Sequence, residues 1–354
     1  MGESSQLTVG RAVDWQFAGT VGAKLTRPGP PASEYTRRQA IEELARASRT
    51  AEGPVRDVTG LSVDTPVPDA RIVDRQEWVR AASDSMRTMI GASDGPAHPV
   101  TGRVAGAQTG AVLAFVSSGI LGQYDPFAQN DPAVGPAGGC LLLVYPNVIA
   151  VERQLRLAPS DFRLWVCLHE VTHRVQFTAN PWLSQYMSQS LGVLTADRDD
   201  DFGQVAARLS QFLKDRRTVD PGPHDAGVLG FLRAVQSEPQ REALDRLLVL
   251  GTLLEGHADH VMDAVGPTVV PSVQLIRHRF DDRRQRKQPP LQRVLRALLG
   301  VDAKISQYTR GKAFVDHVVG RVGMARFNTV WSGPETLPLP AEIEKPQQWI
   351  DRVL

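Results

Sequence analysis

Read for the spacing of apolar and polar positions, the chain is dominated by helical periods. Residues 34–50, EYTRRQAIEELARASRT, follow a Pro-Gly-Pro-Pro punctuation and place Ile41, Leu44 and Ala45 at helical intervals. The run DRQEWVRAASDSMRTMIGA opens at Asp74 with Glu77 three positions on, which predicts a reciprocal cap and a helix stopping near Gly91. VAGAQTGAVLAFVSSGIL, 104–121, is as long as a membrane span, but Gln108, Thr109, Ser117 and Ser118 interrupt it. Its Gly and Ala content suits close packing, so a buried helix is expected there and no membrane partner. A turn-rich stretch, 122–139, precedes CLLLVYPNVIAVE, the best strand candidate, in which Pro146 points to an edge or a bulge.

Two longer helices follow. APSDFRLWVCLHEVTHRVQFTANP, 158–181, is expected to start at Ser160 or Asp161 and to end before Pro181. In LDRLLVLGTLLEGHADHVMDAVG, 244–266, an apolar face gives way abruptly to Glu255, His257, Asp259 and His260. No period of 20 to 50 residues repeats, which argues against a solenoid. The expected architecture is mainly α (α+β): one unit, 1–354, with a helical N-terminal lobe, 1–121, and a second lobe, 122–354, that carries the strand and both long helices.

Composition changes this picture little. A chain of 354 residues with 42% hydrophobic content can bury a large core. Forty basic against 39 acidic side chains leave a net charge of +1, so no global field draws the protein to nucleic acid or an anionic surface. Cys140 and Cys167 are the only cysteines, and the first residues lack a basic and then apolar leader, so a cytoplasmic address is expected. The run RHRFDDRRQRKQPPLQRVLR, 277–296, holds eight Arg or Lys but interleaves only Phe280 as an aromatic. It reads as a solvated connector, and no specific nucleic acid is expected. Arg277 or Arg279 could instead clamp a substrate carboxylate.

The chemistry concentrates in CLHEVTHRVQF. His169 and His173 lie four apart, so on a helix both imidazoles reach one ion at about 2.0–2.1 Å. Glu170 lies beside such an ion, placed to take a proton from an attacking water. The plainer alternative is two surface histidines one turn apart. Catalytic zinc usually keeps three protein ligands, and the positions where a longer motif would supply a third histidine are Gln176 and Ala179. Glu255 and His257 are the candidates. They point to roughly opposite sides of their helix, so only one can face the ion, and Glu255 has Asp259 on its own face at i,i+4. An acid there could hold a histidine's second nitrogen. His257 would then stand at the rim as a proton donor or oxyanion stabiliser, or be satisfied elsewhere, and His260 would lie outside the pocket. Tyr308 is a further oxyanion candidate, with core packing as its alternative. Residues 141–151 could pair with an extended peptide as an edge strand, or form a buried one.

H-E-x-x-H followed by E-x-x-x-D resembles the gluzincin branch of metallopeptidases, of which thermolysin is the familiar member. The resemblance implies that Glu255 is the third ligand, Asp259 the partner of His169, and Glu170 the general base of peptide or amide hydrolysis. The separation of 82 positions from His173 to Glu255 is longer than in thermolysin-like proteins, which implies a helical insertion. Further stretches, among them GAQTGAVLAFVSSGILGQYDPF, LEGHADHVMD and FNTVWSGPETLP, resemble a family of zincin-like metallopeptidases found largely in actinobacteria and associated with deazaflavin-coenzyme biosynthesis. This likeness runs from VDWQFAGTVGAKL to the end. It implies a zincin-like fold with a small sheet beside the active helix, Zn2+ as cofactor, and a peptide or amide substrate. Two other classes stay open: a catalytically silent zincin-fold scaffold with a structural zinc, and a nucleic-acid-associated protein using 277–296.

Overall fold

A computed structural model describes residues 12–62, 67–91, 99–128, 139–195, 237–285 and 301–354; the side chains of 281, 283–285 and 301–309 lie outside that description. Helix α1 (Trp15–Leu25) begins where the Asp14 carboxylate accepts from the Phe17 N–H. Helix α2 (Glu34–Thr50), capped by Ser33, buries the row Ala40, Leu44 and Ser48. Ile41, expected inside, stands one position off that row and keeps 37% of its surface exposed. After α3 (Glu52–Thr59) and the short strand β1 (Arg71–Val73), helix α4 (Arg75–Met89) carries the reciprocal Asp74–Glu77 cap expected of it.

Helix α5 (Pro99–Val116) starts and stops earlier than expected and is buried on one side only. Gly102, Gly106 and Gly110 face α1, while Val100, Val104 and Val112 stay exposed. A Cβ at Gly106 would lie 2.6 Å from the Asp14 carbonyl oxygen, and one at Gly110 would lie 2.5 Å from that of Ala18. The small residues therefore bring two backbones together instead of sinking the helix into a core. No helix among the described residues is long and apolar enough to cross a membrane.

The sheet has strand order β1-β3-β2, with β2 at Gly122–Asp125 and β3 at Cys140–Val144. Strand β3 runs parallel to β1 and antiparallel to β2. This corrects the expected strand in two ways. CLLLV is the central strand, not an edge, and all five residues are buried. Cys140, Leu142 and Val144 join Val73, Trp78, Val79 and Leu113 on one side, while Leu141 and Leu143 enter the main core on the other. The strand also ends at Val144, because Tyr145–Leu155 is helix α6 with Pro146 in its first turn. Proline is pre-set for that position, where its missing N–H costs nothing. Apolar content alone could not separate a buried strand from the buried helix that continues it. Strand β2 lies inside the stretch read as turns.

The main core forms around α7 (Pro159–Ala179), which is buried on nearly every side by Phe162, Val166, Leu168, Val171, Val175 and their neighbours. Its first turn is entered through Ala158 and Pro159, not through a side-chain cap at Ser160 or Asp161. The Asp161 carboxylate instead accepts from the Ser272 N–H. Both arginines of α7 are paired: Arg163 with Glu152 and Glu43, and Arg174 with Glu52. Helices α8 (Trp182–Thr195), α9 (Glu238–Val269), α10 (Val273–Gln285) and α11 (Val301–Val322) complete the surround, closed by α12 (Met324–Phe327), α13 (Pro340–Glu344) and α14 (Pro346–Val353). One hydrophobic cluster contains Leu44 and Val55 together with Leu168, Leu253, Phe314 and Trp349, so it draws on both sides of residue 121. Of the expected insertion between the two motif helices, α8 is described and 196–236 lies outside the described residues.

Candidate metal centre

His169 and His173 leave the same face of α7, and their rings meet edge to face with centroids 4.7 Å apart. The Nε2 atoms are 3.2 Å apart, and Oε2 of Glu255 on α9 lies 3.3 Å from the first and 3.7 Å from the second. Among the described residues these three form a metal-competent cluster of His, Cys, Asp or Glu side chains. The separations have a direct meaning. Ligands about 2.0–2.1 Å from a tetrahedral ion stand about 3.3 Å from one another.

The protons point the same way. Nδ1 of His173 is 2.9 Å from the Gln176 carboxamide oxygen, and Nδ1 of His169 is 3.3 Å from the thioether of Met262. Each contact suits an N–H on Nδ1, which leaves both Nε2 lone pairs aimed at the gap. Oε2 of Glu255 is shielded from solvent and has no hydrogen-bond partner. Burial pulls the His169 pKa down, but Glu255, with smaller contributions from Glu170 and Asp259, overrides it and lifts it to about 9. Burial alone would raise Glu255; the two imidazoles reverse this and hold its carboxyl well below the usual range. Without an ion the pocket thus holds positive charge as a proton on His169, and a divalent cation meeting these three donor atoms would take the place of that proton. All three side chains are only partly buried, so one side of the cluster stays open.

Backbone contact fixes where Glu255 stands. A Cβ on the next residue, Gly256, would lie 2.1 Å from the carbonyl carbon of Gly311, and one on Gly311 would lie 2.1 Å from the Thr252 oxygen. Helices α9 and α11 therefore touch through bare backbone immediately beside the carboxylate. Glu170 packs on the sheet side of α7. A Cβ at Gly122, the first residue of β2, would stand 2.7 Å from its Cγ, so that glycine makes the room the side chain occupies.

The other expected participants stand elsewhere. Asp259 gives its carboxylate to Arg277, and His169 takes Met262, one turn further along α9, as its partner. Arg277 also bonds the Asp259 carbonyl and Asp263 and lies over the Trp165 ring. Arg279 donates to the Leu155 carbonyl. Neither guanidinium is thus a clamp awaiting a substrate, and the basic run beyond 285 lies outside the described residues. His257 is fully buried against Phe327 and Trp331 and is not at a rim. Burial, reinforced by His260 and His173, pushes its pKa down to about 3, so it is held neutral. His260 pairs with Asp316. Tyr308 belongs to α11, but its side chain lies outside the described residues. Sequence reasoning passed over Gln176, treating it only as the place of a missing histidine, although its i+3 spacing from His173 puts the two side chains in reach.

Comparison with known proteins follows the same line. The sequence profile of a family described as zincin-like metallopeptidase matches residues 13–350. A crystal structure from Chloroflexus aurantiacus, described as that of a candidate hydrolase with a novel fold, is similar at 30% identity and a TM-score of 0.63, covering 96% of this chain and 98% of the other. None of the curated proteins compared matches the chain.

Proposed function

Because the chain belongs to the zincin-like metallopeptidase family, we propose that it is a zinc-dependent hydrolase of peptide or amide bonds. In this reading His169, His173 and Glu255 hold the metal and Glu170 is the general base. The observation that carries it is the set of three converging donor atoms spaced 3.2, 3.3 and 3.7 Å, close to the separation of about 3.3 Å between ligands of one small tetrahedral cation. When bound, zinc would supply Lewis-acid polarisation of the scissile carbonyl and acidify a water. Glu170, adjacent to His169 and seated in the space left by Gly122, takes the proton of the attacking water and passes it to the leaving nitrogen. His257, neutral and enclosed, takes no proton in this scheme.

Main-chain recognition of an extended substrate, expected along 141–151, is better placed on β2. Strand β3 is paired on both sides, whereas β2 ends the described sheet and begins beside Glu170. The stretches quoted above likewise support the narrower gluzincin-like, deazaflavin-associated grouping.

The test pairs metal content with turnover. Elemental analysis should find zinc on the purified chain, and an unbiased peptide library should be cut by it. Glu170→Gln should keep its zinc and lose about a hundred- to ten-thousand-fold in rate. Full turnover by that variant, or zinc-loaded protein that cuts nothing, would overturn the proposal.

A further inference from the structure

Gln176 is fully buried between the two helices that supply the candidate ligands. Its oxygen lies 2.9 Å from Nδ1 of His173; its nitrogen lies 3.0 Å from the Leu254 carbonyl oxygen and 2.9 Å from Nδ1 of His257. A carboxamide has one acceptor oxygen and two N–H donors, and here all are used at once.

The orientation of that amide is not a free choice. A backbone carbonyl can only accept, so the atom facing Leu254 must be the NH2 group. The atom facing His173 is then oxygen, which requires the His173 proton on Nδ1 and leaves Nε2 bare. The second N–H likewise requires a lone pair on Nδ1 of His257, whose ring is fixed by its stack on Phe327 at 5.5 Å between centroids. Leu254 is the residue before Glu255. One side chain thus reads the backbone beside the third ligand and sets the tautomer of the second.

We propose that Gln176 is a positioning residue of the metal centre: its carboxamide holds His173 with Nε2 bare and ties that imidazole, through Leu254 and His257, to the helix carrying Glu255. This rests on the metal-centre reading above. Neither carboxylate nor hydroxyl could replace the amide, because the former lacks donors and the latter cannot reach three partners. His169 is held differently, by the weak thioether acceptor of Met262. Orientation at this site is therefore uneven, firm at His173 and soft at His169.

The test uses the full chain stripped with a chelator and titrated with zinc against a chromophoric competitor. Gln176→Met, similar in length but without hydrogen bonds, should weaken zinc binding about ten- to a hundredfold, the usual effect of losing such a support. Met262→Leu should weaken it less. Thermal unfolding of the metal-free forms runs alongside. A Gln176→Met protein that is less stable without metal yet binds zinc as tightly as the unmutated chain overturns the proposal and leaves the metal centre standing. An unmutated chain that takes up no zinc overturns both. Should Gln176→Met not fold, long-range 1H–15N spectra of the metal-free unmutated chain decide: a His173 ring proton on Nδ1 supports the assignment, and one on Nε2 overturns it.

Discussion

Two pairs of helices in this molecule meet through glycine, and they put the closeness to different use. At the α1–α5 crossing, Gly106 and Gly110 bring α5 onto the carbonyls of Asp14 and Ala18, while the outer face of α5 keeps Val100, Val104 and Val112 exposed. At the α9–α11 crossing, Gly256 and Gly311 touch backbone to backbone, and Glu255 is the residue just before Gly256. The first contact joins a peripheral pair of helices. The second fixes a carboxylate by contact between main chains, which have no rotamers to relax. The same sequence feature is thus structural in one region and, in the proposed hydrolase, part of how a ligand is aimed.

The comparison can be broken by adding one methyl group at each place. Gly311→Ala should have the largest effect, since its Cβ would meet the Thr252 oxygen at 2.1 Å. Overpacking of this kind costs about 1–3 kcal/mol or more, and here zinc affinity should fall with stability, read by denaturant unfolding and chelator competition. Gly110→Ala, 2.5 Å from the Ala18 oxygen, should cost roughly 1–3 kcal/mol while its folded fraction binds zinc unchanged. Equal loss of zinc affinity in both variants would erase the distinction. Gly122→Ala sharpens it from a third position, because the new Cβ would meet Cγ of the buried Glu170 at 2.7 Å and the buried Leu143 side chain at 2.9 Å. Stability should fall by about 1 kcal/mol, the low end for overpacking against side chains, and the folded fraction should bind zinc unchanged while kcat falls further than stability accounts for.

How much of this was legible in the residues depended on whether partners were local. The i,i+4 histidines and the reciprocal Asp74–Glu77 cap are decided within one turn of chain, and both stand where the spacing puts them. Glu255 could be nominated from its pattern on α9, and the structure brings it to the imidazoles. The partner of His169 could not be nominated, because Asp259 is taken by Arg277, a residue on another helix that no spacing rule connects to it. The strand expected through Pro146 failed for a related reason: a run buried on all sides has no period to show where strand becomes helix. Strands β1 and β2, with only three and four residues, owe their form to β3 more than to their own sequence.

The distance along the chain from His173 to Glu255 has a thermodynamic consequence. A cation gripped by both would act as a removable cross-link spanning 82 residues, closing a loop that an unfolded chain otherwise pays heavily in entropy to close. Such a protein has no single intrinsic stability. Its folded population would follow the free concentration of the ion by mass action, making the chain sensitive to metal supply even where no substrate is present.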